Sequence, residues 1–248
     1  VQQEGYALQY AAEALKADRE IVLAAVQQDA YALEWAANAL QADREIVLAA
    51  VQQHGDALQY AAEALKADRA IVLAAVGNDG HAFQFAADWL RSDKAFMTDV
   101  ITKYNKAHPA EYEVGTLNPY RLMYAADELK SDRDFMLNIL NATSGNVRVL
   151  QYAADELKSD RDFMLTAIHD TNEEVMQYAD DKFKSDRDFM FHVINEFDDI
   201  GVGVLQYADD ELKSDRDFML TFIIKYGVVD VLQYAVDDLT SDGNFMLN

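Results

Sequence analysis

Carboxylates are the most abundant groups in this chain able to do chemistry, and many stand in adjacent pairs: Asp127-Glu128, Asp155-Glu156, Asp180-Asp181, Asp209-Asp210-Glu211 and Asp237-Asp238. Hydrolysis of the glycosidase kind needs two carboxylates in unlike surroundings, one of them with a raised pKa. These pairs recur at one helical position and so share one environment, which reads as a solvated helix face rather than an acid–base couple. Calcium binds neighbouring acids on an Asp-x-Asp-x-Asp-Gly loop, which is absent; Asn195-Glu196-Phe197-Asp198-Asp199 is the nearest approach. The histidines, His54, His81, His108, His169 and His192, sit at unmatched positions without the close or i, i+4 spacing of zinc ligands. Neither a Gly-rich phosphate loop nor a nucleophile–base motif occurs. The chain therefore reads as non-enzymatic, with no cofactor and no metal site.

One constellation carries a sharper expectation. Tyr10, Trp35, Tyr60, Phe85, Tyr124, Tyr152, Tyr178, Tyr207 and Tyr234 hold one position of a recurring unit, with Gln9, Glu34, Gln59, Gln84, Met123, Gln151, Gln177, Gln206 and Gln233 beside it. At about 100° per residue on a continuous helix, Tyr10 falls between Glu13 and Ala14. In later copies the Ala14 position becomes Glu128, Glu156, Glu211 or Asp238. Tyr124, Tyr152, Tyr178, Tyr207 and Tyr234, with those four acids, are thus the candidate partner-binding residues. A ridge of aromatics rimmed by carboxylates would receive an extended basic protein segment through apolar and cation–π contacts. The competing reading has each ring filling the seam between adjacent repeats, hydroxyl at the rim.

The elements that position this ladder come from a fixed period, the signature of a repeat architecture. The Asp expected to open each second helix falls at 18, 43, 68, 93, 132, 160, 186, 215 and 242, giving spacings of 25, 25, 25, 39, 28, 26, 29 and 27. Residues 1–100 are nearly identical repeats, 101–119 an insertion, and 120–248 diverged repeats of one continuous array. Each repeat reads as two helices. The first spans about Tyr6 to Lys16, with Leu8, Ala11, Ala12 and Leu15 on one buried face. The second opens at Asp18, its Ile21–Val26 run apolar all round and so sandwiched between neighbours. Ser131-Asp132-Arg133-Asp134 reads as a variant capping box with Ser at the N-cap. Gly5, Gly55 and Gly80 read as left-handed helix stops. The fold class is all-α, an α-solenoid of about nine two-helix repeats.

From Phe96 onward the Ile-Val pair of the second helix becomes Phe-Met, as at Phe135-Met136, Phe163-Met164, Phe189-Met190, Phe218-Met219 and Phe245-Met246. Such a stripe is either an adaptable groove or, since it replaces core residues, a repacked core. The insertion runs from Ile101 through Pro109 and a loop at 110–117 to Asn118-Pro119, and is either neutral or a site of function.

Residues 7 to 28, Ala-Leu-Gln-Tyr-Ala-Ala-Glu-Ala-Leu-Lys-Ala-Asp-Arg-Glu-Ile-Val-Leu-Ala-Ala-Val-Gln-Gln, resemble the repeat of the family called domain of unknown function 4116, in their Ala-Leu-Gln-Tyr-Ala core, Leu-Lys, Asp-Arg and Val-rich second helix. The resemblance covers nearly the whole chain, weakest at 101–119. It implies a tandem helical array and supplies no catalytic residues.

Composition bounds the partners. The net charge is −23, from 44 acids against 21 bases. That field disfavours nucleic acid and anionic lipid, favours basic partners or cations, and keeps a repetitive array in solution. There is no cysteine, which removes disulfides and thiolate chemistry and fits an intracellular setting, cytoplasm or organelle lumen. No apolar run reaches the roughly 20 residues of a membrane span, and no signal-like segment opens the chain. The termini match the interior of a second helix without polar caps, so the chain reads as part of a longer array. Three functions follow: a protein-interaction scaffold, a structural spacer or assembly subunit of a larger complex, and an acidic cation-binding array.

Overall fold

A computed structural model of the chain describes residues 5–103, 119–196 and 201–241. The chain divides into two compact units, Val1–Phe135 and Met136–Asn248. Among the described residues all regular structure is helical, and each unit is a stack of repeated helices, an all-α solenoid.

The repeat is built from three pieces rather than two straight rods. Gly5–Tyr10 is a 3-10 helix, Glu13–Lys16 a single α-turn and Arg19–Gln28 a ten-residue α-helix. Gly55–Tyr60, Glu63–Lys66 and Arg69–Asn78 repeat the pattern in the first unit, as Glu173–Tyr178, Asp181–Lys184 and Arg187–Glu196 do in the second. The expected first helix, Tyr6 to Lys16, is therefore interrupted: Ala12 is extended, with φ −63° and ψ 150°. In interior repeats the break serves the neighbouring repeat. A residue in the Ala12 position has no intrahelical acceptor for its N–H, and donates it instead to the last carbonyl of the preceding short helix. Ala37 donates to Lys16 at 2.9 Å, Ala62 to Gln41 at 2.9 Å, Ala87 to Lys66 at 3.0 Å and Ala126 to Arg91 at 3.0 Å. In the second unit Asp180 donates to Lys158 at 3.1 Å and Asp209 to Lys184 at 3.0 Å. A continuous helix would spend that donor internally and lose the inter-repeat bond.

The core follows this geometry. Leu33, Leu58, Phe83, Leu122 and Leu150 of the 3-10 segments are fully buried, and so are Ile46, Val47, Ala50 and Val51 of one long helix. Leu65, Leu90, Leu129 and Leu157 close the short helix over them. Of the expected apolar face, the Leu8, Ala11 and Leu15 positions are buried in interior repeats, whereas the Ala12 position works through its backbone. Phe96, Met97, Phe163, Met164, Phe189, Met190, Phe218 and Met219 are all buried, so the Phe-Met stripe is core and not a groove. Phe245-Met246 and most of the insertion, residues 104–118, lie outside the described residues.

A second tie joins repeats through charge. Asp18 caps its own long helix by accepting from Glu20 N and Ile21 N at 3.0 and 3.1 Å. Arg19, the first residue of that helix, reaches forward to the capping Asp43 of the next repeat at 2.9 Å, and to Glu45. Arg44 reaches Asp68 and Arg69 reaches Asp93; Lys94 reaches Asp132, Arg161 reaches Asp186 and Arg187 reaches Asp215. Three of these cations also lie over the next repeat's aromatic rings, Arg161 5.0 Å from the Phe189 centroid, Arg69 5.2 Å from Phe96 and Arg187 5.6 Å from Phe218. Partly exposed pairs of this kind stabilise by about 0.2–1 kcal/mol each.

Two local expectations are corrected. Asp132, not Ser131, is the cap of its helix: Phe135 N donates to Asp132 at 2.8 Å, while Ser131 ends the preceding short helix. Gly5, Gly55 and Gly80 are not left-handed stops, since the positive-φ glycines are Gly145 and Gly227, with Ser144 alongside. The long helices of the first unit end instead on extended residues such as Asp29, φ −148° and ψ 112°. The three glycines are small because neighbours approach closely. A Cβ on Gly5 would lie 2.6 Å from the Ala25 carbonyl oxygen, and one on Gly80 would collide with the Tyr120 hydroxyl.

Candidate interaction surface

The aromatic ladder caps the C-terminal end of each 3-10 helix, where the extended residues that follow turn the chain away. Because the helix breaks there, the 100°-per-residue relation between Tyr10 and the short-helix acids does not hold. Tyr60, Tyr124, Tyr178 and Tyr207 face the preceding repeat instead. The Tyr60 ring meets Tyr31 edge-on at 6.3 Å between centroids. The Tyr124 hydroxyl shares a hydrogen with His81 Nδ1 at 2.6 Å. Burial pushes the Tyr60 hydroxyl up, with the Glu34 carboxylate adding to it. Burial likewise raises Tyr124, helped by Asp79 and Asp56. In the second unit burial raises Tyr178, the Arg148 guanidinium pulls it down and Glu174 pushes it up; burial raises Tyr207 with Glu174 and Glu173. None of these charges belongs to the short-helix acids. Glu128, Glu156 and Glu211 stand exposed on their helices, beside Asp127 and Asp155, which pair with Lys130 and Lys158 at 3.4 and 3.3 Å. The side chain of Asp238 lies outside the described residues.

Exposure confirms what fills the seam. Tyr10, with no described repeat before it, is 80% exposed; Trp35 drops to 36%, and Tyr60, Tyr124, Tyr152, Tyr178, Tyr207 and Tyr234 are half-buried. The half-buried rings therefore pack the seam on one side, as the second reading expects, and leave a rim at the surface. The neighbouring glutamines are structural. Gln59 Nε2 donates to the Asp56 carbonyl at 3.0 Å, and Gln177 Nε2 to that of Glu174 at 2.9 Å, closing their own 3-10 helices.

The residue four before each aromatic was not apparent from sequence as part of this surface. It is the side chain against which the next repeat's ring packs: Tyr31 below Tyr60, His81 below Tyr124. The available signal was its variability beside an otherwise uniform segment. The Arg of Asp-Arg was equally missed, although its recurrence directly after each capping Asp marks it as part of the joint.

A polar cluster lies at one seam of the first unit. Asp56 is raised by burial and by Asp79, against the pull of His81 and His54, and its Oδ1 has no hydrogen-bond partner. Arg121 is 2% exposed, occupies a position that is Ala or Val in the other repeats, and leaves Nε and Nη1 unbonded. Burial lowers its pKa, opposed by Tyr120 and Asp79. Among the described residues no group of three His, Cys, Asp or Glu is placed to hold a metal ion. His108 and most of the 195–199 acidic segment fall outside the described residues. No helix among the described residues is long and apolar enough to cross a membrane.

The model of a family described as Domain of unknown function (DUF4116) matches residues 1–41, 32–66, 43–91, 68–107 and 202–240, each match spanning repeat-length segments of the array. No curated protein and no solved structure matches the chain.

Proposed function

The chain belongs to the DUF4116 family, and from that premise we propose that it is a non-enzymatic interaction scaffold whose 3-10 face receives an extended basic segment of a partner protein. The observation that carries this reading is the row of aromatic rims left at the surface on that face. Carboxylates stand near it at Glu34, Glu173 and Glu174, in a chain of net charge −23. Apolar edges flanked by negative charge suit lysine and arginine side chains, which present both a methylene stem and a cation. The acids Glu128, Glu156 and Glu211 of the short helices add long-range attraction rather than contact with the rings.

The test is fluorescence anisotropy of a labelled extended peptide of about a dozen residues containing lysine and arginine, against the 248-residue chain. Binding should weaken as salt rises, and each of Tyr152→Ala, Tyr178→Ala and Tyr207→Ala should cost about 2- to 5-fold in affinity, the equivalent of a surface cation–π contact. Affinity indifferent to both salt and these substitutions sinks the reading. A structural spacer is the second reading, favoured by joints that are chemically the same from repeat to repeat. Exchange of one repeat for another should leave a spacer intact and change a recognition surface.

A further inference from the structure

Within the 3-10 segment some positions keep their character along the chain and others do not. The residue before each ring pair is buried Leu, Phe or Met, as at Leu58, Phe83, Met176 and Leu205, and the residue preceding that is small and apolar apart from Arg121. The residue four before the ring changes chemical class almost every time: Tyr31, Asp56, His81 and Tyr120 in the first unit, then Arg148, Glu174, Gly203 and Asp230 in the second. Packing does not explain the variation. Arg148, Glu174 and Asp230 are exposed, as are Tyr31 and His81, so the solvent side of the site accepts any of them. Three of them are fixed in place by a carbonyl that accepts from the glutamine three residues on, Asp56 at 3.0 Å and Glu174 and Asp230 both at 2.9 Å. A constant aromatic thus marks one variable side chain per repeat at the same position of the segment.

We propose that these variable residues are the specificity determinants of the scaffold, each selecting one side chain of an extended peptide laid along the row; this rests on the scaffold reading given above. Helices pack about 8–10 Å apart and an extended chain advances about 3.3–3.6 Å per residue, so about three peptide residues pass each repeat. The second unit therefore selects a peptide of period three: an acid against Arg148, a base against Glu174, a base at Gly203, where the Glu173 carboxylate stands, and a base against Asp230. Gly203 offers no side chain, and Glu173 lies over it with Oε1 3.0 Å from where a Cβ would stand. Within the dominant negative field, Arg148 is the one position of the four that reverses the preference.

The test uses immobilised ten-residue peptides, alanine and glutamine throughout except for Asp or Lys at each position of the period-three frame, written in both directions, and the full chain as probe. The expected best binder has one acid followed by three bases at three-residue intervals. Arg148→Glu should shift the preference at the first interval from Asp to Lys, and Glu174→Lys should shift the second from Lys to Asp. Each mismatch should cost about 3- to 10-fold in affinity, and matched reversal on both sides should restore it to within about twofold. Both sites tolerate other residues in sibling repeats, and circular dichroism checks that the variants fold. Peptides that bind and respond to Tyr178→Ala, but whose preferences ignore Arg148→Glu and Glu174→Lys, overturn this inference and leave the scaffold standing. Failure of every peptide to bind overturns both.

Discussion

Replacing Ala37 by proline isolates the inter-repeat backbone bond. The Ala37 dihedrals, φ −58° and ψ 147°, already match those proline imposes, and Ala36 before it is extended at φ −70°, ψ 146°, as a residue preceding proline must be. The repeat containing Ala37 therefore accepts the ring. What it loses is the donor to the Lys16 carbonyl, 2.9 Å away, and the ring's Cδ is driven toward that oxygen. In a helix interior the same loss and clash cost about 3 kcal/mol, and the stiffer unfolded chain returns about 0.4–1 kcal/mol. The net cost should be roughly 2–3 kcal/mol. Native-state hydrogen exchange is the suitable assay, since a repeat array opens locally rather than all at once. Amides of Arg44–Gln53 that face Arg19–Gln28 should exchange about 30-fold faster or more, by the factor of ten per 1.4 kcal/mol. Ala62→Pro should act alike one joint further on, through Gln41. Ala12→Pro is the control: Ala12 shares the conformation, but its N–H has no acceptor among the described residues, so substitution should stabilise by about 0.4–1 kcal/mol. If all three prolines behave as Ala12→Pro does, the bond contributes nothing and the account of the broken helix is wrong.

Other outcomes follow from single residues. Asp43→Ala removes a cap that accepts from Glu45 N and Ile46 N and a partner of Arg19, and should cost about 1–3 kcal/mol in urea unfolding; Asp43→Asn keeps the cap and should cost less than half as much. Burial would raise the Asp43 carboxyl, but Arg19 and the two backbone donors outweigh it and hold it below the usual range. Its stabilisation is therefore present above about pH 4 and is lost as pH falls through the lowered value, a loss the asparagine variant should not show. Asp56 has the opposite sign, because burial and Asp79 raise it and leave His81 and His54 to pull it down. It costs stability as pH rises from about 4 through the raised value, so Asp56→Asn should stabilise at pH 7 and lose that advantage near pH 4, as thermal melts across pH will show. Arg121→Met should be neutral or stabilising by about 1–3 kcal/mol, since a buried guanidinium with two unbonded nitrogens gives way to an apolar chain of similar reach; a loss beyond about 1 kcal/mol would assign Arg121 a binding role.

Sequence made the helical class legible because burial repeats with the period: the Leu8 position is buried at Leu33, Leu58 and Leu122, and the Val22, Ala25 and Val26 positions are buried at Val47, Ala50 and Val51. The capping Asp was legible too, because its chemistry is local. The break at Ala12 was not, since alanine favours a helix, and the bond that the same break serves in interior repeats runs to a carbonyl of another repeat. The same blindness to the neighbour hid the partner of Arg19 and misplaced the environment of Tyr10, whose ring is set by the preceding repeat rather than by Glu13 and Ala14. Gly5 looked like a turn residue because glycine has two uses, and only the position of the Ala25 carbonyl separates them.

Both ties between repeats point the same way along the chain. At the joints described above the earlier repeat offers a carbonyl and a cation, and the later one offers an N–H and a carboxylate. A joint of that kind has a socket and a plug, so deletion or duplication of a whole repeat rejoins a socket to a plug of its own kind, while a change of half a repeat leaves both unmatched. Errors of copying that add or remove one full unit are thus the ones this architecture survives, and the near-identical units of residues 1–100 have the form such errors leave behind.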